Sequence, residues 1–163
     1  MTQLTLRLRP NEKSLREFLK DISLQLRGKR LSRVRRSIGS VLLFDFGELG
    51  KFGKKKRLFG EWHLLVLMAS WIIVKKQKVL LSSEEPPSKI DEMISPLLKG
   101  RETKTFIFRR SGSLELTFTD GTKLNVKKTR IKNYRENWSL FCRDVWSVSN
   151  ADENDMYRVD LKI

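Results

Sequence analysis

The chain has 163 residues, the length of a single domain and too short for a multidomain assembly. Hydrophobic residues make up 39% and charged residues 33%, which argues against wholesale disorder because enough apolar side chains remain to build a core. Lys and Arg number 34 against 19 Asp and Glu, so the net charge is +15, and this excess implies an anionic partner.

The first predicted elements are a strand, a helix and a hairpin. Residues 2–9 alternate polar and apolar side chains and predict a half-buried strand. Apolar residues at helical spacing over 15–26 predict an amphipathic helix that ends at Gly28. The basic segment 31–37 and the apolar segment 41–46 then predict a hairpin with a Gly-Ser turn.

The middle of the chain combines a basic loop with apolar strands. Residues 47–60 hold glycines among lysines and predict an exposed loop. Residues 61–74 and 77–82 are rich in Val, Ile, Leu and Trp, and they predict two buried strands. The apolar stretch 62–74 is too short to span a bilayer, and residues 1–9 lack the apolar core of a signal peptide. We therefore expect a cytoplasmic protein with no membrane partner.

A second helix and a series of strands follow. Apolar spacing over 88–98 predicts a helix that ends at Gly100 and is shortened or kinked by Pro96. An Asp-Gly pair at 120–121 predicts a hairpin turn. The remaining predicted strands lie at 103–108, 114–119, 123–128, 137–149 (one strand or two) and 157–163.

The two halves of the chain resemble each other in sequence. Residues 22–29 align with 94–101 at a constant offset of 72 positions, and both copies continue through a Gly-Ser hairpin and a Phe-x-x-Gly turn to a tryptophan. This shared order favours duplication over chance similarity. The predicted fold is a single α+β domain over 1–163, with two helices and mainly antiparallel sheets. We expect a pseudo-twofold repeat of a helix-plus-β-meander unit, with halves at 11–85 and 88–150.

The second half carries the pattern Phe-x-Asp-Gly-x-x-Leu-x-Val followed by Trp-x-Leu. Its residues are Phe118, Asp120, Gly121, Leu124, Val126, Trp138 and Leu140. This pattern resembles that of small uncharacterised bacterial α+β proteins, some of them of the toxin-immunity type. The resemblance implies a compact binding protein without catalytic activity. The chain departs from that family in charge, since inhibitors of basic nuclease toxins tend to be acidic and this chain is basic.

Basic residues are concentrated in three clusters, between residues 27 and 36, 51 and 57, and 123 and 135, and none of the three contains an acidic residue. Repulsion within such clusters favours the binding of an anion. The residues predicted to bind nucleic acid are Arg27, Lys29, Arg30, Arg33, Arg35, Arg36, Lys51, Phe52, Lys54, Lys55, Lys56, Arg57, Lys127, Lys128, Arg130 and Lys132.

These clusters suit the recognition of phosphate. On a strand, Arg33 and Arg35 share one face, and a planar guanidinium group pairs two phosphate oxygens. Phe52 and Phe59 lie in the lysine-rich loop and are candidates to stack on bases, whereas Trp62 is expected in the core. The first predicted partner is DNA, RNA or a complex that contains either. The protein is expected to bind it as an accessory subunit or as an inhibitor. The alternative is an immunity or antitoxin-type inhibitor that docks on an acidic protein.

Enzyme chemistry has little support in the sequence. Asp45, Glu48 and Glu61 provide carboxylates for a metal-dependent nuclease, but no nuclease motif accompanies them, and turn chemistry or pairing with lysine is favoured. His63 and Cys142 are the only histidine and cysteine, which excludes an internal disulfide and a Cys/His zinc site. Both are interpreted as structural. We expect no catalytic residue, no metal and no cofactor.

Overall fold

The computed structural model describes residues 3–8, 13–52, 55–129, 137–142, 146–150 and 157–162, with side chains over 13–51, 55–129, 137–142 and 147–150. The helices in this part of the chain are α1 (Lys13–Leu26) and α2 (Pro87–Leu98). The strands are β1 (Gln3–Leu8), β2 (Leu31–Arg36), β3 (Leu42–Phe46), β4 (Gly50–Phe52), β5 (Arg57–Phe59), β6 (Trp62–Val66), β7 (Ser70–Lys75), β8 (Lys78–Ser82), β9 (Thr103–Phe108), β10 (Leu114–Phe118), β11 (Lys123–Lys127), β12 (Trp138–Cys142), β13 (Trp146–Asn150) and β14 (Tyr157–Lys162).

The strands form two main sheets and one small hairpin. The seven-stranded sheet has the order β1-β14-β13-β12-β6-β3-β2, and the five-stranded sheet has the order β8-β7-β11-β10-β9. The β4–β5 pair forms a separate two-stranded sheet. Every strand pairing in the described residues is antiparallel. The predicted α+β class with mainly antiparallel sheets is therefore confirmed.

The prediction of one strand over 61–74 is wrong. The chain leaves the seven-stranded sheet after β6 and enters the five-stranded sheet at β7. At the break, Met68 has a φ of 34°, and Leu67 N donates a hydrogen bond to the carbonyl of Asn137 at 2.7 Å. Thr129 Oγ1 donates to the Met68 carbonyl at 3.1 Å. The mostly apolar sequence hides this crossing because the break at 67–69 consists of Leu, Met and Ala and contains no glycine or proline.

One apolar core joins the helices and both sheets. α1 packs on β9 and α2 packs on β2. The helical spacing predicted for α1 is confirmed, since its buried residues are Leu15, Leu19, Ile22 and Leu26. The ring of Phe46 on β3 meets that of Phe106 on β9 edge-on at 6.4 Å, and Phe108 packs against Trp138 on β12 at 5.4 Å. These ring contacts link the two sheets.

The segments that follow the two helices pair with each other. Gly28 and Gly100 both adopt positive φ, near 80° and 84°, which turns the chain out of each helix. Gly28 N donates to the Thr103 carbonyl at 2.8 Å, and Gly100 N donates to the Leu31 carbonyl at 2.7 Å. An isolated antiparallel bridge between residues 30 and 102 lies between these bonds. The start of β2 is thereby tied to the start of β9.

Candidate functional site

Three of the cations predicted to bind phosphate are paired with carboxylates of the fold. The ion pairs are Lys29–Glu61, Arg33–Asp45 and Arg36–Asp91. Their acidic partners lie 12 to 55 positions away along the chain, so local charge counting could not find them. Arg30 and Arg35 are exposed. The first cluster is therefore less densely charged in the folded protein than in the sequence.

The Arg33–Asp45 pair belongs to a buried polar centre on the face of the seven-stranded sheet that points away from the core. The Asp45 carboxylate is fully buried and accepts hydrogen bonds from His63 Nδ1 at 2.7 Å, Arg33 Nε at 2.7 Å and Gly60 N at 2.9 Å. Burial acts to raise the pKa of Asp45, but the hydrogen bonds from His63, Gly60 and Arg33 outweigh it and lower the pKa below its usual value. Asp45 thus stays ionised and orients its neighbours.

The β4–β5 pair together with residues 55 and 56, which we call the lysine hairpin, rests on this buried centre. Residues 47–60 were predicted as an exposed loop, but β4 and β5 pair with each other inside that segment. Arg33 Nη2 donates to the Leu58 carbonyl at 2.5 Å, and the ring of Phe59 meets the His63 ring edge-on at 4.9 Å. Phe59, a predicted base-stacking residue, is therefore half-buried against His63.

The remaining predicted cations separate into two regions. Lys51, Lys55, Lys56 and Arg57 are exposed on the lysine hairpin. Lys127 is exposed at the end of β11 and Lys128 is half-buried beside Gly112, at the β9–β10 turn. Lys54, Arg130 and Lys132 lie outside the described residues, as does the side chain of Phe52. The described part of the third cluster therefore lies at the five-stranded sheet, whereas the lysine hairpin lies on the seven-stranded sheet.

An open groove of about 580 Å³ lies along the contact between α1 and β9. We call it the α1–β9 groove. Its lining residues are Arg16, Leu19, Lys20, Ser23, Leu24 and Arg27 from the helix side, and Lys104, Thr105, Phe106, Ile107, Phe108, Arg109 and Arg110 from the strand side. Six of these side chains are cationic and none is acidic. The cations stand on both walls, and apolar side chains lie between them.

The contact between α2 and β2 differs from the α1–β9 groove in its charges. Between α2 and β2, Arg36 donates two hydrogen bonds to the Asp91 carboxylate, from Nε to Oδ1 at 2.8 Å and from Nη2 to Oδ2 at 2.5 Å. Across α1 and β9, Arg109 of the lining pairs with Glu115 at 2.7 Å. Glu115 lies on the neighbouring strand β10, outside the lining. The α1–β9 groove therefore presents a surplus of positive charge.

Sequence reasoning identified Arg27 but missed five cations of the α1–β9 groove. These are Arg16, Lys20, Lys104, Arg109 and Arg110. A signal was available on the helix, because positions 16, 20 and 27 share one helical face. The strand side could not be found in this way, since it depends on which strand packs beside α1.

Other kinds of site have weak support in the described residues. No group of three or more His, Cys, Asp and Glu side chains there could hold a metal ion. Of the three carboxylates considered for a nuclease, Asp45 is paired with Arg33, and Glu61 is paired with Lys29 and accepts a hydrogen bond from Glu48 N. No helix in this part of the chain is long and apolar enough to cross a membrane.

Comparison with protein-family models, with curated proteins and with solved structures found no match. Function must therefore be inferred from the chemistry of the surface itself. The α1–β9 groove is the strongest candidate, because it combines a defined shape with charge of one sign.

Proposed function

We propose that this protein is a non-catalytic binding protein that engages nucleic acid, or a complex containing nucleic acid, as an accessory subunit or inhibitor. The observation that carries this proposal is the α1–β9 groove, lined by six cations and no acid in a chain of net charge +15. The exposed cations of the lysine hairpin extend the basic surface. We also propose a cytoplasmic location.

The arrangement of charge supports a phosphate ligand. Like charges that face each other across a groove repel, and bound anions relieve that repulsion. Four of the six lining cations are arginines, whose planar groups bind phosphate oxygens in pairs. The two groups best suited to proton transfer, Asp45 and His63, are instead buried and bonded to each other. Because their burial and mutual hydrogen bond keep both groups away from a substrate, binding is favoured over catalysis.

A salt series tests the proposal with two matched double variants. Lys20→Gln with Lys104→Gln removes two cations of the α1–β9 groove. Lys78→Gln with Lys99→Gln removes two exposed cations that lie outside the groove and outside the three basic clusters. Both variants carry the same net charge, so a difference between them reports location alone.

The expected result is binding of nuclease-treated protein to labelled DNA or RNA that weakens steeply between about 50 and 200 mM salt. For a single strand, the slope of log K against log salt should be less negative by about 1.4 in the groove variant than in the unchanged protein. The control variant should change this slope by clearly less. An absence of binding to every polymer at physiological salt would overturn the proposal. Equal effects of the two variants would show that the α1–β9 groove is not the contact surface.

The second candidate function is inhibition of an acidic protein, in the manner of an immunity protein or antitoxin. It is favoured by the exposed apolar side chain of Leu24 in the α1–β9 groove, since protein interfaces bury apolar groups beside charged ones. A stoichiometric complex that persists after nuclease treatment would support this candidate. Release of the partner by nuclease would argue against it.

We also propose that the single domain consists of two related halves, 11–85 and 88–150, each a helix-plus-β-meander unit. Support comes from two hydrogen bonds between the segments after the helices, Gly28 N to the Thr103 carbonyl and Gly100 N to the Leu31 carbonyl. The two donors are 72 positions apart, and so are the two acceptors, so the bonds are equivalent under the repeat. The indole nitrogens of Trp71 and Trp138 likewise donate to carbonyls within the Gly-Ser hairpin of each half, those of Ser40 and Gly112.

A further inference from the structure

We infer that the α1–β9 groove selects single-stranded nucleic acid over duplex, with bases held against its apolar floor and phosphates along its cationic walls. This inference rests on the proposed function and names the form of nucleic acid that the same groove takes. It depends on three features of the groove: its apolar floor, the position of its cations, and the direction in which α1 faces.

The floor of the groove offers apolar surface to a ligand. Leu24 is 57% exposed, and Ile107 and Phe108 are half-buried. The Phe108 ring packs against the Phe106 ring at 5.2 Å and against the Trp138 ring at 5.4 Å, both in tilted geometry. A ring fixed in this way is ready to receive a base without losing side-chain freedom on binding.

Only a single strand can use both the floor and the walls. In a duplex the bases are stacked inside and the phosphates lie outside, so a duplex would contact the cationic rim and leave the apolar floor unused. An unpaired strand presents phosphates and free base faces together, and protein grooves bind it by combining basic walls with apolar or aromatic platforms. The combination found in the α1–β9 groove matches this chemistry.

The direction of α1 argues against the usual helical recognition of duplex DNA. A recognition helix must project from the protein to enter the major groove. The cationic side chains of α1, Arg16, Lys20 and Arg27, instead face a wall formed by β9. The helix therefore contributes one side of a channel.

The experiment compares four probes on the full chain at physiological salt. They are a thymidine oligonucleotide of about 16 residues, an abasic strand with the same number of phosphates, a duplex of the same length, and polyglutamate of matched charge. Stacking of one base contributes enough to change affinity about 5- to 150-fold, so we expect the thymidine strand to bind at least tenfold more tightly than each other probe.

Two apolar substitutions of similar exposure locate the effect. Leu24→Gln removes exposed apolar surface from the α1–β9 groove, and Val79→Gln removes it from β8, where the side chain is 54% exposed. Leu24→Gln should weaken binding of the thymidine strand severalfold and leave the abasic strand unaffected. Val79→Gln should change neither. Phe108→Leu provides a second groove variant that keeps apolar bulk and removes the ring, with circular dichroism to verify folding.

The possible failures are distinguishable. Duplex or abasic strand binding as tightly as the thymidine strand would overturn the preference for single strands and leave the proposed function intact. Tighter binding of polyglutamate would overturn the inference and favour an acidic protein partner. Failure of all three nucleic-acid probes would overturn the proposed function together with the inference.

Discussion

Arg36 on β2 and Asp91 on α2 form a two-point ion pair that joins a strand to the helix packed on it. The third guanidinium nitrogen, Nη1, donates to the carbonyls of Ser37 at 2.7 Å and Gly39 at 3.0 Å. The hydrogen bonds from Arg36 lower the pKa of Asp91, so the pair stays charged over the ordinary range of pH. All three guanidinium nitrogens are engaged within the fold, which leaves Arg36 poorly placed to bind a ligand.

Replacement of Arg36 should therefore affect stability and leave ligand binding intact. We expect Arg36→Gln to lower the melting temperature, because the substitution breaks the link between β2 and α2. The slope of log K against log salt for a nucleic-acid probe should be that of the unchanged protein. Thermal unfolding and a salt series measure the two quantities. A slope reduced as far as in the Lys20/Lys104 variant would show that Arg36 also contacts the ligand.

Loss of the Asp45 carboxylate should be strongly destabilising. Asp45→Ala leaves three donors without their acceptor and leaves the Arg33 charge unpaired, and breaking a buried pair in this way costs about 3–5 kcal/mol. Urea denaturation measures the loss in the free energy of unfolding. Asp21→Ala, on the exposed face of α1, is the matched control and should change that free energy by about 0.5 kcal/mol or less. Similar values for the two variants would contradict a structural role for Asp45.

Asp45 should also give the protein an acid-labile component of stability. Its pKa in the folded state is lowered, so the folded state binds fewer protons at this group than the unfolded state does. The stabilisation is present above the unfolded pKa of about 3.9 and is lost as the pH falls through the lower folded pKa. Unfolding free energies measured from neutral pH downward should fall in this window for the unchanged protein. The fall should be smaller for Asp45→Asn, which cannot titrate at this position.

Trp138 and Trp71 should contribute through their indole hydrogen bonds as well as their size. Trp138 Nε1 donates to the Gly112 carbonyl at 2.8 Å, and Trp71 Nε1 donates to the Ser40 carbonyl at 2.9 Å. Phenylalanine keeps an aromatic ring but removes the donor, so Trp138→Phe and Trp71→Phe should each cost about 1–3 kcal/mol of unfolding free energy. Chemical denaturation checks both. A cost below about 0.5 kcal/mol for either would mean that its acceptor finds another donor.

Gly60 should be intolerant of any side chain. A Cβ at this position would lie 2.6 Å from the Phe46 carbonyl oxygen and 2.8 Å from the Phe46 nitrogen, both of them backbone atoms that cannot move aside cheaply. Gly60→Ala should therefore push the lysine hairpin away from the sheet and speed its cleavage by trypsin. Gly121→Ala is the control, since a Cβ there meets open space and only the positive φ is strained. Equal cleavage in the two variants would contradict this close packing.

The helices and most strands could be predicted because their signals are local. Apolar spacing in 15–26 predicted α1, and the Asp-Gly turn predicted the hairpin of β10 and β11. The break at Met68 could not be predicted, because it contains neither glycine nor proline and is specified by the two sheets that the chain connects. The pseudo-twofold relation of the halves stays a prediction.

The basic surface was harder to predict than the elements. A charge cluster in sequence gives no information on distant partners, and Asp91 lies 55 positions from Arg36. Packing of β9 beside α1 brings Lys104 to the same groove as Lys20, although these residues belong to different parts of the chain. The sequence therefore predicted the sign of the surface charge, whereas the tertiary structure determines which cations share a ligand.

The crossing of the chain from the seven-stranded sheet to the five-stranded sheet after β6 has a consequence for folding during synthesis. Val66, at the end of β6, pairs with Trp138 on β12, so the seven-stranded sheet stays incomplete until most of the chain has left the ribosome. At a typical translation rate the delay between these two strands is about 4–15 s. During that time β6 has an open apolar edge, a form prone to aggregation. Successful production of this protein should therefore depend on slow dilution or on chaperones that shield the nascent chain.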